Sequence, residues 1–159
     1  MTSEFMRDLL SKDEKITVEY KTCQFGIQED VYETVCSFSN RYGGYIIMGT
    51  EDDGTPIGVK QNMVKDMKRN FVNQLNNPDK MSPTLYLSIE DFEYEGKILL
   101  WVYVPPTATV EKCGNRIYDR NEDGDMDITD SPIQLQNMYN RKSTTYAEHK
   151  IFPYVTKDD

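Results

Sequence analysis

Seven consecutive apolar residues, Ile98 to Val104 in KILLWVYVP, form the longest apolar run in a chain of 159. A membrane-crossing helix needs about 20, so this run belongs inside a water-soluble fold. It is rich in β-branched and aromatic residues and bounded by Glu95-Gly96 and Pro105-Pro106, which predicts a strand buried on both faces. LYLSIEDFEYE, just before Glu95-Gly96, is its hairpin partner. YIIMGTE (45–51) opens with a second apolar run and is expected to be a central strand, with TPIGV (55–59) returning as a hairpin around Asp53-Gly54. Strands that come in adjacent pairs, rather than alternating with helices, predict an α+β fold: a mixed β-sheet built from hairpins with three or four packed helices.

The helices follow from apolar spacing. Residues 4–12 suit a short helix before the alternating strand ITVEYKT (16–22). Glu29 to Asn40 places Val31, Val35 and Phe38 on one face and is stopped by Gly43-Gly44. Asn62 to Asn76 carries Met63, Met67, Phe71 and Leu75 at helical spacing, which assigns them to the core. Ser131-Pro132 opens a last helix through about Arg141, after a short strand at Asn115–Tyr118. The expected organisation is one domain over 1–159 with a core at about 14–142. The ending IFPYVTKDD lacks a closing element, as expected for the N-terminal fragment of a longer chain. No apolar secretory segment opens the sequence, which places the protein in the cytoplasm without membrane association.

Eighteen Lys and Arg face 27 Asp and Glu, a net charge of −9, which disfavours nucleic-acid binding over the whole surface. Between Asp119 and Asp130 stand six acids and one base, −5 in twelve residues, so the remainder carries −4. Cys23, Cys36 and Cys113 are widely spaced and His149 is the single histidine, which excludes a Cys/His zinc site and argues against a disulfide framework.

Four patterns bear on chemistry. Glu14, Glu19 and Asp52 lie at or near strand ends, where converging carboxylates hold a hard cation such as Mg²⁺ or Mn²⁺; the plain alternative is a solvated strand face and a turn. Gly49 to Thr55 has the glycine spacing of a phosphate loop, but Thr55-Pro56 stands where Lys-Ser/Thr is needed and a strand is expected next, so it is no Walker site. Asp119, Asn121, Asp123, Asp127 and Asp130 occupy positions 1, 3, 5, 9 and 12 of a calcium-loop spacing with Gly124 at position 6. An acidic turn without Ca²⁺ is the preferred alternative, since Asp130 is a short twelfth ligand and no helix precedes the loop. Lys21, Arg41, Lys60, Lys65, Lys68 and Arg69 are candidate phosphate contacts, or else solvated helix charges. Cys36 sits on an apolar helical face and reads as core.

Together, VEYK (18–21), VCSFSNRYGGYIIMGTEDDGTPIGV (35–59), the EGK turn (95–97) and NRIYDR (115–120) resemble the Schlafen AlbA-type domain, also called the divergent AAA domain. The family pattern runs E-F-K, then A-F-A-N-x-x-G-G-x-hydrophobic-G-V-x-D-x-G, and later Y-x-R; Tyr20, Ser37, Ser39 and Thr50 depart from it mildly. In bacteria the resemblance implies the N-terminal domain of transcriptional regulators, often labelled RecG-like helicase-related or ATP-binding, followed by a C-terminal winged-helix region. In animal members the fold carries a ribonuclease site of three acids, which fall on Glu14, Glu19 and Asp52, in a groove built from two copies.

The expected function is therefore a nucleic-acid-binding regulatory module of a bacterial transcriptional regulator, with DNA or RNA as partner. The alternatives are a metal-dependent endoribonuclease using Mg²⁺ or Mn²⁺, and a homo-oligomerisation or ligand-sensing domain.

Overall fold

The structure, a computed structural model, describes residues 1–12 and 16–156, with side chains through Thr144. Helix α1 (Ser3–Leu10) starts at Thr2, whose hydroxyl accepts the Phe5 amide as an N-cap. Strand β1 (Val18–Lys21), helix α2 (Asp30–Ser39) and strand β2 (Gly44–Met48) follow, then a 3₁₀ turn (Gln61–Met63) and helix α3 (Val64–Leu75). The second half comprises β3 (Met81–Ser82), the hairpin β4 (Ile89–Tyr94) and β5 (Lys97–Val104), β6 (Lys112–Cys113), the hairpin β7 (Tyr118–Asn121) and β8 (Gly124–Asp127), and helix α4 (Pro132–Thr156).

The main sheet has the order β1-β2-β5-β4, with β1 parallel to β2 and the other pairs antiparallel. The α+β class and mixed sheet are those expected, and the two apolar runs are its interior strands. One face, carrying Ile46, Met48, Leu100 and Val102, packs under α2 and α3. The other, carrying Val18, Tyr20, Ile47 and Leu99, meets Met6 and Leu9 of α1. A third cluster of Ile117, Ile128 and Met138 seats α4 on the β7–β8 hairpin. Among the described residues no helix is long and apolar enough to cross a membrane.

Gly43-Gly44 does more than end α2. Gly43 has φ +74°, and a Cβ there would lie 2.5 Å from the Val104 carbonyl; one on Gly44 would lie 2.6 Å from the Thr17 carbonyl. A side chain at either position would push β2 away from both neighbours.

Several elements differ from expectation. Residues 55–59 form no strand: only a bridge from Thr50 to Pro56 remains, and Val59 donates its amide to Ile98, leading the chain across to β5. The strand expected at 115–118 lies at Tyr118–Asn121, and α4 runs to Thr156 rather than ending near Arg141. The calcium-like spacing falls on a β-hairpin, not a loop: Tyr118 pairs with Asp127 and Asn121 with Gly124. A strand turns alternate side chains to opposite faces, so the five oxygen-bearing residues do not wrap around one point.

The C-terminus of α2 is the most heavily tied point of the fold. Asn40 is buried; its Nδ2 donates to the carbonyls of Glu111 and Tyr118, each at 2.9 Å, and its Oδ1 accepts the Glu111 amide at 2.8 Å. Lys142 Nζ donates to the Ser39, Thr107 and Thr109 carbonyls at 2.8–2.9 Å, and Arg141 donates to the Asn40 carbonyl at 2.9 Å. Two cations thus occupy the negative end of a helix dipole. Burial pulls Lys142 down to about 8, while its oxygen cage is a set that an ammonium satisfies.

Asn40→Ala should cost about 2–4 kcal/mol in urea unfolding, since it strands buried backbone groups; a loss under about 0.5 kcal/mol would refute the role given to this side chain.

Next to this clamp the Glu111 carboxylate is fully buried, and among the described residues neither oxygen has a hydrogen-bond partner. Burial pushes its pKa up to about 7, against an ordinary 4.5, with Lys142 acting in the opposite sense. Between those values the folded chain holds a proton that the unfolded chain has released. Stability should therefore fall by about 1–3 kcal/mol as pH rises from about 4.5 to about 7, and then level off. Glu111→Gln should flatten that slope and stabilise the chain at pH 8, measured by thermal melting across pH; an unchanged slope would assign it to other groups.

Candidate functional site at the junction of β1, α2 and the β7–β8 hairpin

Alternation along β1 sends Val18 and Tyr20 to the α1 side and Glu19 and Lys21 to the α2 side. Helix α2 answers with a polar stripe at Asp30, Thr34, Ser37 and Arg41, positions that follow one another up one helix face, while Val31, Val35 and Phe38 enter the core. The β7–β8 hairpin supplies Asp119, Arg120 and Asp125.

Arg120 is the hub. Its side chain is 1% exposed; it bonds Glu19 at 2.7 Å and Asp125 at 2.9 Å, reaches the Ile16 and Val18 carbonyls at 3.3 and 3.4 Å, and lies over the Phe38 ring at 4.7 Å. Asp125 also accepts from Thr34 at 2.7 Å and Ser37 at 2.5 Å. Lys21 bridges Asp30 at 2.8 Å and Glu19 at 3.5 Å. Burial works against the Lys21 charge, but its hydrogen bond to Asp30 and the Glu19 carboxylate outweigh it and raise its pKa. Glu33 is raised by burial, then by Asp125 and Asp30. Four carboxylates, Glu19, Asp30, Glu33 and Asp125, thus face two cations, Lys21 and Arg120, and the cluster repels anions. Beside it, Arg41 grips the nearly buried Asp119 through two bonds, at 3.0 and 2.7 Å, and Arg141 approaches the same carboxylate at 3.7 Å.

Glu14 lies outside the described residues. Glu19 is engaged by Arg120 and Lys21, and Asp52 stands in the exposed turn after β2, where Thr22, Glu51 and Asp53 join it around a cavity of about 440 Å³. Among the described residues no three Asp, Glu, His or Cys side chains come together closely enough to hold a metal ion.

In the acidic hairpin, Arg41 holds Asp119, and Arg116 holds Asp127 at 2.7 Å and Asp130 at 3.0 Å. Asn121 accepts the Asp123 amide at 2.9 Å. Of the basic candidates, Lys68 pairs with Asp91 and Arg69 with Asp66. Lys60 lies 5.7 Å above the exposed Phe25 ring, and Lys65 is exposed. Lys21 and Arg41 belong to the β1 edge of the sheet and the α3 cations to the opposite side, so the six do not form one patch.

Sequence reasoning met Arg120 only as the end of the Y-x-R motif and Arg41 only as a phosphate contact, and passed over Asp125 and the stripe of α2 that they join. The stripe was visible as polar residues at helical spacing inside an otherwise buried helix. What they bind was not, because Asp125 lies 91 residues from Thr34.

An α+β domain with an ion-paired cluster at the edge of a mixed sheet is thus defined. The chain matches the Schlafen, AlbA_2 family over residues 14–129 and belongs to that family. The solved N-terminal domain of a protein from Nitrosomonas europaea, named as related to the ATP-dependent DNA helicase RecG, is similar at 26% identity and a TM-score of 0.53, over 65% of this chain and 72% of that one. A protein from Corynebacterium diphtheriae shares the fold at 17% identity and a TM-score of 0.55; the match covers 76% of this chain and 25% of that one. No curated protein matches significantly.

Arg120→Met should destabilise the chain by about 3–5 kcal/mol in chemical denaturation, because it leaves Glu19 and Asp125 without their buried cation. Adding Glu19→Gln and Asp125→Asn should recover part of that loss. Strictly additive losses would mean the three side chains are not coupled.

Proposed function

We propose that the chain is a nucleic-acid-associated module, serving a bacterial transcriptional regulator. Membership of the Schlafen, AlbA_2 family carries the reading, and the name of the Nitrosomonas europaea relative, which refers to a DNA helicase, supports it. Phosphates would be met by Lys60, Lys65, Lys68 and Arg69 around the 3₁₀ turn and α3. This surface is separate from the anion-repelling cluster at β1, and the pairs Lys68–Asp91 and Arg69–Asp66 are exposed enough to exchange for a phosphate.

A second reading, metal-dependent RNA cleavage, is favoured by the carboxylate-lined cavity at Asp52. It requires Glu19 to leave Arg120.

Anisotropy titrations of DNA and RNA oligonucleotides against salt, with and without Mn²⁺, test both. Binding should weaken with salt, and changing Lys60, Lys65, Lys68 and Arg69 to Gln should flatten log Kd against log salt by about 0.7–0.9 per lost contact. No binding at low ionic strength would defeat the first reading. Mn²⁺-dependent cleavage lost in Glu19→Gln, with folding intact, would favour the second.

A further inference from the structure

The face of the main sheet opposite Glu19 and Lys21 carries an aromatic group that the core does not enclose. Phe5 of α1 meets Tyr45 of β2 edge to face, with ring centres 5.6 Å apart; Tyr45 lies 6.2 Å from Trp101 and 5.0 Å from Tyr103, both on β5. Phe5 and Tyr103 are each 43% exposed. Phe5, Tyr45 and Trp101 line a cavity of about 240 Å³ together with Met1 and Thr2. Apolar surface gathered in this way, outside the core, is characteristic of an interaction site.

The charges around it say what it takes. Two exposed acids stand at the rim, Glu90, the β4 partner of Trp101, and Glu4, which adjoins Phe5; the one cation there among the described residues, the α-ammonium of Met1, leaves the rim with a net negative charge. Arg7, two residues after Phe5, falls on the opposite flank of α1, and Lys97 stands at the far end of β5. Ring faces attract cations, and an acidic rim in a chain of net charge −9 adds to that attraction and opposes phosphate.

We propose that this face binds an extended basic peptide of another protein, its Arg or Lys side chains lying on Tyr45, Trp101 and Tyr103. The site is independent of the nucleic-acid reading, since it uses the other side of the sheet and the opposite charge.

Trp101 is the single tryptophan, so its fluorescence reports this site directly. The full chain is titrated with a short peptide alternating Arg and Ser, with a Glu–Ser peptide and with a single-stranded oligonucleotide. The basic peptide alone should change Trp101 emission saturably, and more weakly as salt rises. Tyr103→Ala should weaken it roughly five- to tenfold, and Glu90→Lys should weaken it at unchanged melting temperature. Glu122→Gln, an exposed acid on the turn between β7 and β8, should bind normally. The proposal is overturned by the absence of a saturable change, by an equal loss in Glu122→Gln (diffuse attraction to an acidic chain), by the same Trp101 response to the oligonucleotide, or by self-association of the chain that Tyr103→Ala abolishes.

Discussion

β1 ends the main sheet, and an edge strand exposes a row of backbone groups to any passing strand. In this protein the Arg120 guanidinium stands where the next strand would be, taking the Ile16 and Val18 carbonyls along with Glu19 and Asp125. Its burial is tolerable because two carboxylates, two carbonyls and the Phe38 ring replace its water. A hydrophobic replacement of such a group is often as stable, but it would leave the carbonyls of β1 unanswered. Through that one side chain the β7–β8 hairpin, the edge of the sheet and α2 become a single unit.

Helix α2 is held by charge at both ends and by apolar contact between them. Asp30 at its first turn suits the positive end of the dipole and takes Lys21, while Arg141 and Lys142 meet the carbonyls of its last turn. Val31, Val35 and Phe38 lie against the sheet. Most of the charged groups at this junction are thereby committed to one another, so Lys21, despite its place in the family pattern, and Arg41 contribute little free positive field.

The two sides of the sheet differ in consequence. The α2 side is occupied by ion pairs whose surplus is negative, and the exposed cations Lys60 and Lys65 stand apart from them near the 3₁₀ turn and α3. The α1 side is half covered: α1 is eight residues long and its two buried side chains, Met6 and Leu9, reach the β1–β2 half, leaving the rings on β2 and β5 partly open. A chain of this size can therefore carry two unrelated surfaces on one sheet.

Local sequence was enough for the elements whose reasons are local. Apolar runs made β2 and β5 interior strands, spacing of three and four residues made α2 and α3 amphipathic, and Gly43-Gly44 marked the end of α2. The family pattern and the α+β class were legible for the same reason: they are written in contiguous residues. One expectation failed where long-range pairing overrode a local motif: TPIGV returns on the residues just after β2 through a single bridge, Thr50 to Pro56, and the Val59 amide is taken by Ile98 of β5 instead of extending a hairpin. The acidic turn preferred over a calcium loop is realised as a two-stranded ladder, in which Arg41 takes Asp119 and Arg116 takes Asp127 and Asp130. Charge count alone also could not say which cations are free, since Lys68 finds its acid 23 residues away and Arg41 finds one 78 away. Sequence by itself determined which apolar residues make the core and which turns are possible. Only the tertiary structure decided which charges cancel, because ion pairing depends on distances between segments that the chain brings together last.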